Sequence, residues 1–126
     1  MIDHITIATT NVEESRIFYE RAFRPLGYVV AFGEENIFWA FRIDNGALFE
    51  IRAARGDEQS ITSSHVAFRV SSRELVDGFY EAALNAGGKD NGEPGPRPQY
   101  SMDYYACFIY DPDGHNIEAM IKTEAW

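Results

Sequence analysis

The chain has little of what would place it in several large classes. It holds one cysteine, Cys107, among 126 residues. That excludes an internal disulfide and a core that depends on one. Cys107 lies in the apolar stretch YYACFIY and reads as a small buried side chain. No apolar run approaches the roughly 20 residues of a membrane helix. The opening MIDHITIATT has no basic flank leading into an apolar run, so no secretory signal is read there. Positive charge is scarce: 11 Lys and Arg stand against 20 Asp and Glu, a formal net charge of −9. Nucleic acid and anionic membrane surfaces both call for a basic face, and this chain offers neither partner one. A cytoplasmic setting fits these absences.

What is present suits a globular protein. Apolar residues make up 45% and aromatic residues 14%. The length suits one domain, residues 1–126, with a core of its own. Within it the chain repeats itself. HITIATTNVEESRIFYERAFRPLG (4–27) falls without a gap on HVAFRVSSRELVDGFYEAALNAGG (65–88). His4 meets His65; Phe18, Tyr19 and Glu20 meet Phe79, Tyr80 and Glu81; Gly27 meets Gly88. Two modules are implied, about 1–60 and 61–126. Neither is large enough to bury its own apolar face, so they should share a core.

Each module reads as βαβββ, an α+β chain. Strands are expected near 3–8, 28–33, 37–43 and 47–53, with DNG (44–46) turning a hairpin. Asn11 caps the first helix, whose apolar stripe is Val12, Ile17, Phe18 and Ala22. In the second module a strand at 65–70 precedes a helix near 73–86, capped by Ser71 or Ser72. A weak strand at 88–91 enters a loop at 92–103, GEPGPRPQYSMD. Strands near 104–110 and 115–122 flank the DPDG turn. The loop carries three of the chain's five prolines, and Arg97 and Tyr100 mark it as a pocket lining.

Strand alternation sorts the polar residues by face. Ile5, Ile7, Val66, Phe68 and Val70 form floors for the helices. His4, Thr6 and Ala8, like His65, Ala67 and Arg69, point the other way. By the same parity Glu50 and Glu118 face away from the helices. A carboxylate set mid-strand among apolar neighbours costs several kcal/mol unless it is paired or metal-bound. Two histidines with one carboxylate suit non-haem Fe(II); two with two suit Zn, Ni or Mn. His115, after the turn, reads as structural. Trp39, Phe41, Tyr104 and Tyr105 join Arg97 and Tyr100 as candidate substrate contacts. They would suit a small aromatic or carboxylated ligand.

The paired modules, the FYE on each helix, the HVAF strand and the closing DPDGHNIE together resemble the vicinal oxygen chelate superfamily. This is the group of glyoxalases, fosfomycin and bleomycin resistance proteins and extradiol dioxygenases. The resemblance implies eight strands in curved, mixed sheets around a central cleft. It implies a divalent metal held by His4, His65 and Glu118, with Glu50 as a fourth ligand or proton-transfer base. It implies a lyase, isomerase or dioxygenase acting on an oxygen-chelating substrate, and a homodimer. Two glutathione-binding positions of glyoxalase I are not retained: Ala8 stands where an Arg would, and Ala53 and Ala54 where an Asn would. A glutathione-dependent lactoylglutathione lyase is therefore disfavoured. The alternative is a metal-free binding protein of the bleomycin-resistance kind.

Overall fold

The computed structural model describes residues 1–58 and 64–126. The first half runs β1 (His4–Thr9), α1 (Val12–Phe23), β2 (Val29–Glu34), β3 (Phe38–Arg42) and β4 (Leu48–Ala53). The second runs β5 (His65–Arg69), α2 (Arg73–Asn85), β6 (Lys89–Pro96), β7 (Tyr105–Tyr110) and β8 (Asn116–Ile121). The eight strands fall in two four-stranded sheets, ordered β1-β4-β3-β2 and β5-β8-β7-β6. In each, the first and last strands of the half are parallel and the other pairs antiparallel.

The helix starts follow from their caps. The Asn11 side chain accepts from Glu14 N, and Ser72 accepts from Leu75 N, each satisfying an amide the helix leaves unpaired. Glu13 and Glu14 occupy the first turn of α1, where the helix dipole favours negative charge. The buried stripe of α1 is Val12, Ser15, Phe18, Tyr19, Ala22 and Phe23. Ile17, placed in that stripe from sequence, is exposed. A 3-10 turn at Arg24–Leu26 ends on Gly27, whose φ of 74° is left-handed and suits glycine.

The largest departure from the sequence expectation is β6. It continues to Pro96, through what reads as a loop. Its prolines are tolerated because β6 is an edge strand, paired to β7 alone. Its ladder breaks near Gly92, whose φ is 149° and where a Cβ would come within 3.0 Å of the Phe108 ring. Arg97 N donates to Tyr104 O at 2.8 Å and closes the hairpin.

The core lies between the halves and belongs to both. Phe18, Phe23, Phe41, Phe49 and Ile51 from the first half pack in one cluster with Phe68, Phe79, Ile109 and Ile117 from the second. The helix-facing sides of both sheets feed this cluster. Their opposite sides carry His4, Thr6, His65, Ala67 and Arg69, all exposed. His115 ties the halves: Nδ1 accepts from Ser64 N at 3.0 Å, and Nε2 reaches Ala8 O at 2.8 Å.

Candidate metal centre

The register places one His–Glu pair identically in each sheet. In the first, His4 lies opposite Leu48 and Thr6 opposite Glu50. In the second, His65 lies opposite Asn116 and Ala67 opposite Glu118. Parallel partners share a face, so each histidine stands two residues from a glutamate across the ladder, on the side without a helix.

The pairs differ in closeness. His65 Nε2 is 3.1 Å from Glu118 Oε2. His65 Nδ1 is 3.2 Å from the Asn116 carbonyl oxygen. With Nδ1 donating to that carbonyl, Nε2 of the neutral ring presents a lone pair to a carboxylate oxygen. Two acceptors then confront each other, and a proton or a cation between them is what resolves it. Glu118 is 3% exposed, and its other oxygen, Oε1, accepts from the Tyr104 hydroxyl at 2.7 Å. Burial and this hydrogen bond hold the Tyr104 phenol well above its usual range.

In the first sheet His4 Nδ1 is 2.8 Å from Asp3 Oδ1. The Asp3 hydrogen bond, aided by Glu50, raises the His4 pKa from its ordinary value. Glu50 Oε2 accepts from Thr6 Oγ1 at 2.8 Å. Thus both histidines hold Nδ1 against an oxygen, and both glutamates have one oxygen tied by a hydroxyl. Outer partners of this kind orient metal-binding imidazoles and carboxylates. A cavity of about 470 Å³ opens over Glu50, lined by Thr6, Ile37, Phe38, Arg52 and Arg55 among others. A larger hollow of about 620 Å³, between Phe18, Gly87 and the turn at 110–114, holds none of the four candidate ligands.

The two pairs do not converge within the chain. Among the described residues no group of three or more His, Cys, Asp or Glu forms a metal-holding cluster. The donor types fit a divalent ion, and one chain supplies them as two separated halves. The other sequence candidates divide. Tyr100, Tyr104 and Arg97 lie on the Glu118 side: Tyr100 packs edge-on against Tyr104 at 5.2 Å, and the Arg97 guanidinium lies 5.5 Å from the Phe108 ring, which stacks on His65 at 6.2 Å. Trp39, Phe41 and Tyr105 go to the helix side. Trp39 Nε1 donates to Glu13 at 2.9 Å, Tyr105 donates to Asp77 at 2.8 Å, and Phe41 is fully buried in the core. Parity explains this, because Trp39 and Phe41 lie opposite Ile51 and Phe49. Cys107 is buried, and burial pushes its thiol up to about 12, which leaves it inert.

Sequence reasoning left out Asp3, Phe108 and Trp126, and gave Thr6 a face but no role. Asp3 had no periodic signal, because it precedes β1. Phe108 was readable by parity with Glu118, its partner across the ladder.

Comparison with known proteins then fixes the lineage. Residues 1–119 match the model of the Glyoxalase/Bleomycin resistance protein/Dioxygenase superfamily. The chain belongs to that superfamily. A relative, metallothiol transferase FosB of Shouchella clausii (strain KSM-K16), is 29% identical over 126 residues, covering 98% of this chain and 82% of that one. A glyoxalase/bleomycin resistance protein from Albidiferax ferrireducens T118 superposes with a TM-score of 0.84 at 26% identity, over 97% of this chain and 99% of that one. Oxidase ChaP-H2 superposes with a TM-score of 0.72 at 23% identity, over 99% and 95%, and shares the fold. No helix of the described residues is long and apolar enough to cross a membrane.

Proposed function

We propose that the chain is a divalent-metal-dependent enzyme whose centre forms between two copies. His4 and Glu50 of one copy would meet His65 and Glu118 of the other. The observation that carries this is the repeated pair: each Nδ1 and one oxygen of each carboxylate are held from behind, which leaves Nε2 and the second oxygen as the donors. Support for a second copy comes from the exposure of the histidine-bearing strands β1 and β5 on those faces, the Glu118 end of the second face being covered by Tyr104, Ala106 and Met120. The His4 and His65 side chains are 54% and 51% exposed, and Val29 and Phe32 lie open on the first sheet. Such exposed residues, with β1 and β5 each at the end of its sheet, suit a twofold partner. The name of the FosB relative, a metallothiol transferase, also supports a metal.

The bound ion would supply Lewis-acid polarisation of neighbouring oxygens on a small substrate. The chain's own groups do the rest. With Oε2 held by Thr6, Glu50 keeps Oε1 free to take and return a proton beside the cavity. Phe108, stacked on His65, and Tyr100, packed on Tyr104, provide flat apolar surface and suit an aromatic substrate. Four ligands favour lyase or isomerase chemistry with Ni, Zn or Mn, and the triad without Glu50 favours Fe(II) and a dioxygenase. One observation favours metal-free ligand binding instead: within one chain the pairs stay apart.

Elemental analysis decides between them. Protein purified without chelator and supplied with metals should carry about one divalent ion per protomer, one site per chain in a twofold dimer. His65→Ala should lose it. Wild type that carries none sinks the enzyme reading, and the ion retained separates the two chemistries.

A further inference from the structure

Glu118 has two oxygens, and the structure gives them different work. Oε1 takes the Tyr104 hydroxyl at 2.7 Å, and Oε2 faces His65 Nε2 at 3.1 Å. We propose that Tyr104 is a positioning residue that ties off Oε1, so that Glu118 offers a single oxygen to a divalent cation. The proposal rests on the metal reading for its consequence and on geometry alone for its first step.

Three observations carry it. First, Tyr104 is itself fixed. Its backbone accepts from Arg97 N at 2.8 Å and donates to Ser101 O at 3.2 Å, and its ring sits 5.2 Å from Tyr100 and 6.0 Å from Trp126. A hydroxyl so held sets the rotation of the carboxylate rather than following it. Second, Glu118 is buried, so no solvent competes for Oε1. A charge-assisted hydrogen bond there is short and strong. Third, the first half solves the same problem with a different residue. Thr6 ties one oxygen of Glu50 from the neighbouring strand. The position 61 residues on is Ala67, which has no hydroxyl to give. Tyr104 reaches over and supplies the missing donor. Two unrelated residues thus deliver the same contact to equivalent carboxylates. A carboxylate limited to one donor oxygen leaves more of the ion's coordination positions for substrate oxygens.

The test uses the full chain, the variants Tyr104→Phe and Tyr104→Phe/Ala67→Thr, and Co²⁺ as the probe. Tyr104→Phe removes the hydroxyl and keeps the ring, so the packing against Tyr100 and Trp126 stays. In metal-free protein, the imidazole ¹⁵N resonances of His65 should shift in Tyr104→Phe while those of His115 hold. With Co²⁺, the variant should bind at least about tenfold more weakly, the usual loss for an outer-sphere partner, with an altered visible ligand-field spectrum. The Ala67→Thr addition should restore both, by giving Glu118 the hydroxyl that Glu50 already has. His65 resonances that do not move in Tyr104→Phe overturn the positioning role. Unchanged Co²⁺ affinity and spectrum overturn its consequence for metal binding. Wild type that binds no Co²⁺, while His65 still responds to Tyr104→Phe, sinks the metal reading and leaves the positioning role standing.

Discussion

Phe68 sits on β5 in the second half, yet its ring packs against three aromatic rings of the first. Phe23, Tyr28 and Phe49 lie 5.2, 5.8 and 5.4 Å from it, centroid to centroid. The side chain is 5% exposed. Phe68→Ala therefore opens a cavity at the seam between the halves. A buried Phe→Ala change costs about 3–5 kcal/mol, and lost edge-on pairs place this site at the upper end, about 4–5 kcal/mol. With a urea m-value of about 1–3 kcal/mol/M, the midpoint should fall by about 1.3–5 M. Urea unfolding followed by both far-UV and near-UV dichroism, at one protomer concentration, measures this. Wild type should unfold in one transition by both probes. A loss under about 1 kcal/mol, or two separated wild-type transitions, would refute the shared core.

Two more outcomes follow from individual contacts. Glu13 accepts from Asn36 N, Trp39 Nε1 and Arg16, which lowers its pKa to about 2, with the Asn36 amide the largest cause. A depressed carboxyl contributes stability that is fully present above about pH 4.5 and is lost as pH falls towards about 2. Glu13→Gln should flatten acid unfolding in that window, and an unchanged acid profile would contradict the assignment. His115→Ala strands the Ser64 amide and the Ala8 carbonyl, so thermal unfolding should show a loss of about 2–4 kcal/mol. Its metal content should match wild type, because both His115 ring nitrogens are engaged by Ser64 N and Ala8 O and none is left for an ion; a loss of metal would make it part of the centre.

The sequence made the repeat legible because the offset between His4 and His65 survives without a gap. Face parity then set His4, His65, Glu50 and Glu118 on the helix-free sides, and the ladder shows the same arrangement. Parity applied to all residues would also have moved Trp39, Phe41 and Tyr105 to the helix side. Treating aromatics as pocket candidates by type overrode it. The β6 extension was hidden because Pro94 and Pro96 argue against a strand, and the argument weakens at an edge. The Tyr104–Glu118 bond had no local signal: it joins residues 14 apart across a hairpin, and only the fold aligns them. Nor can alternation along strands tell whether two like faces of one chain meet each other or meet a second copy.

That last point has a direct measurement. His4→Ala and His65→Ala are each prepared, unfolded, mixed in equal amounts and refolded, with native mass spectrometry to count mixed dimers. Each variant alone should bind no metal at the centre. If every centre takes His4 from one copy and His65 from the other, a mixed dimer keeps one intact centre of two. Random pairing makes about half of the dimers mixed, so the mixture should recover about a quarter of wild-type metal. Mixed dimers that form and bind none would contradict a centre shared between copies.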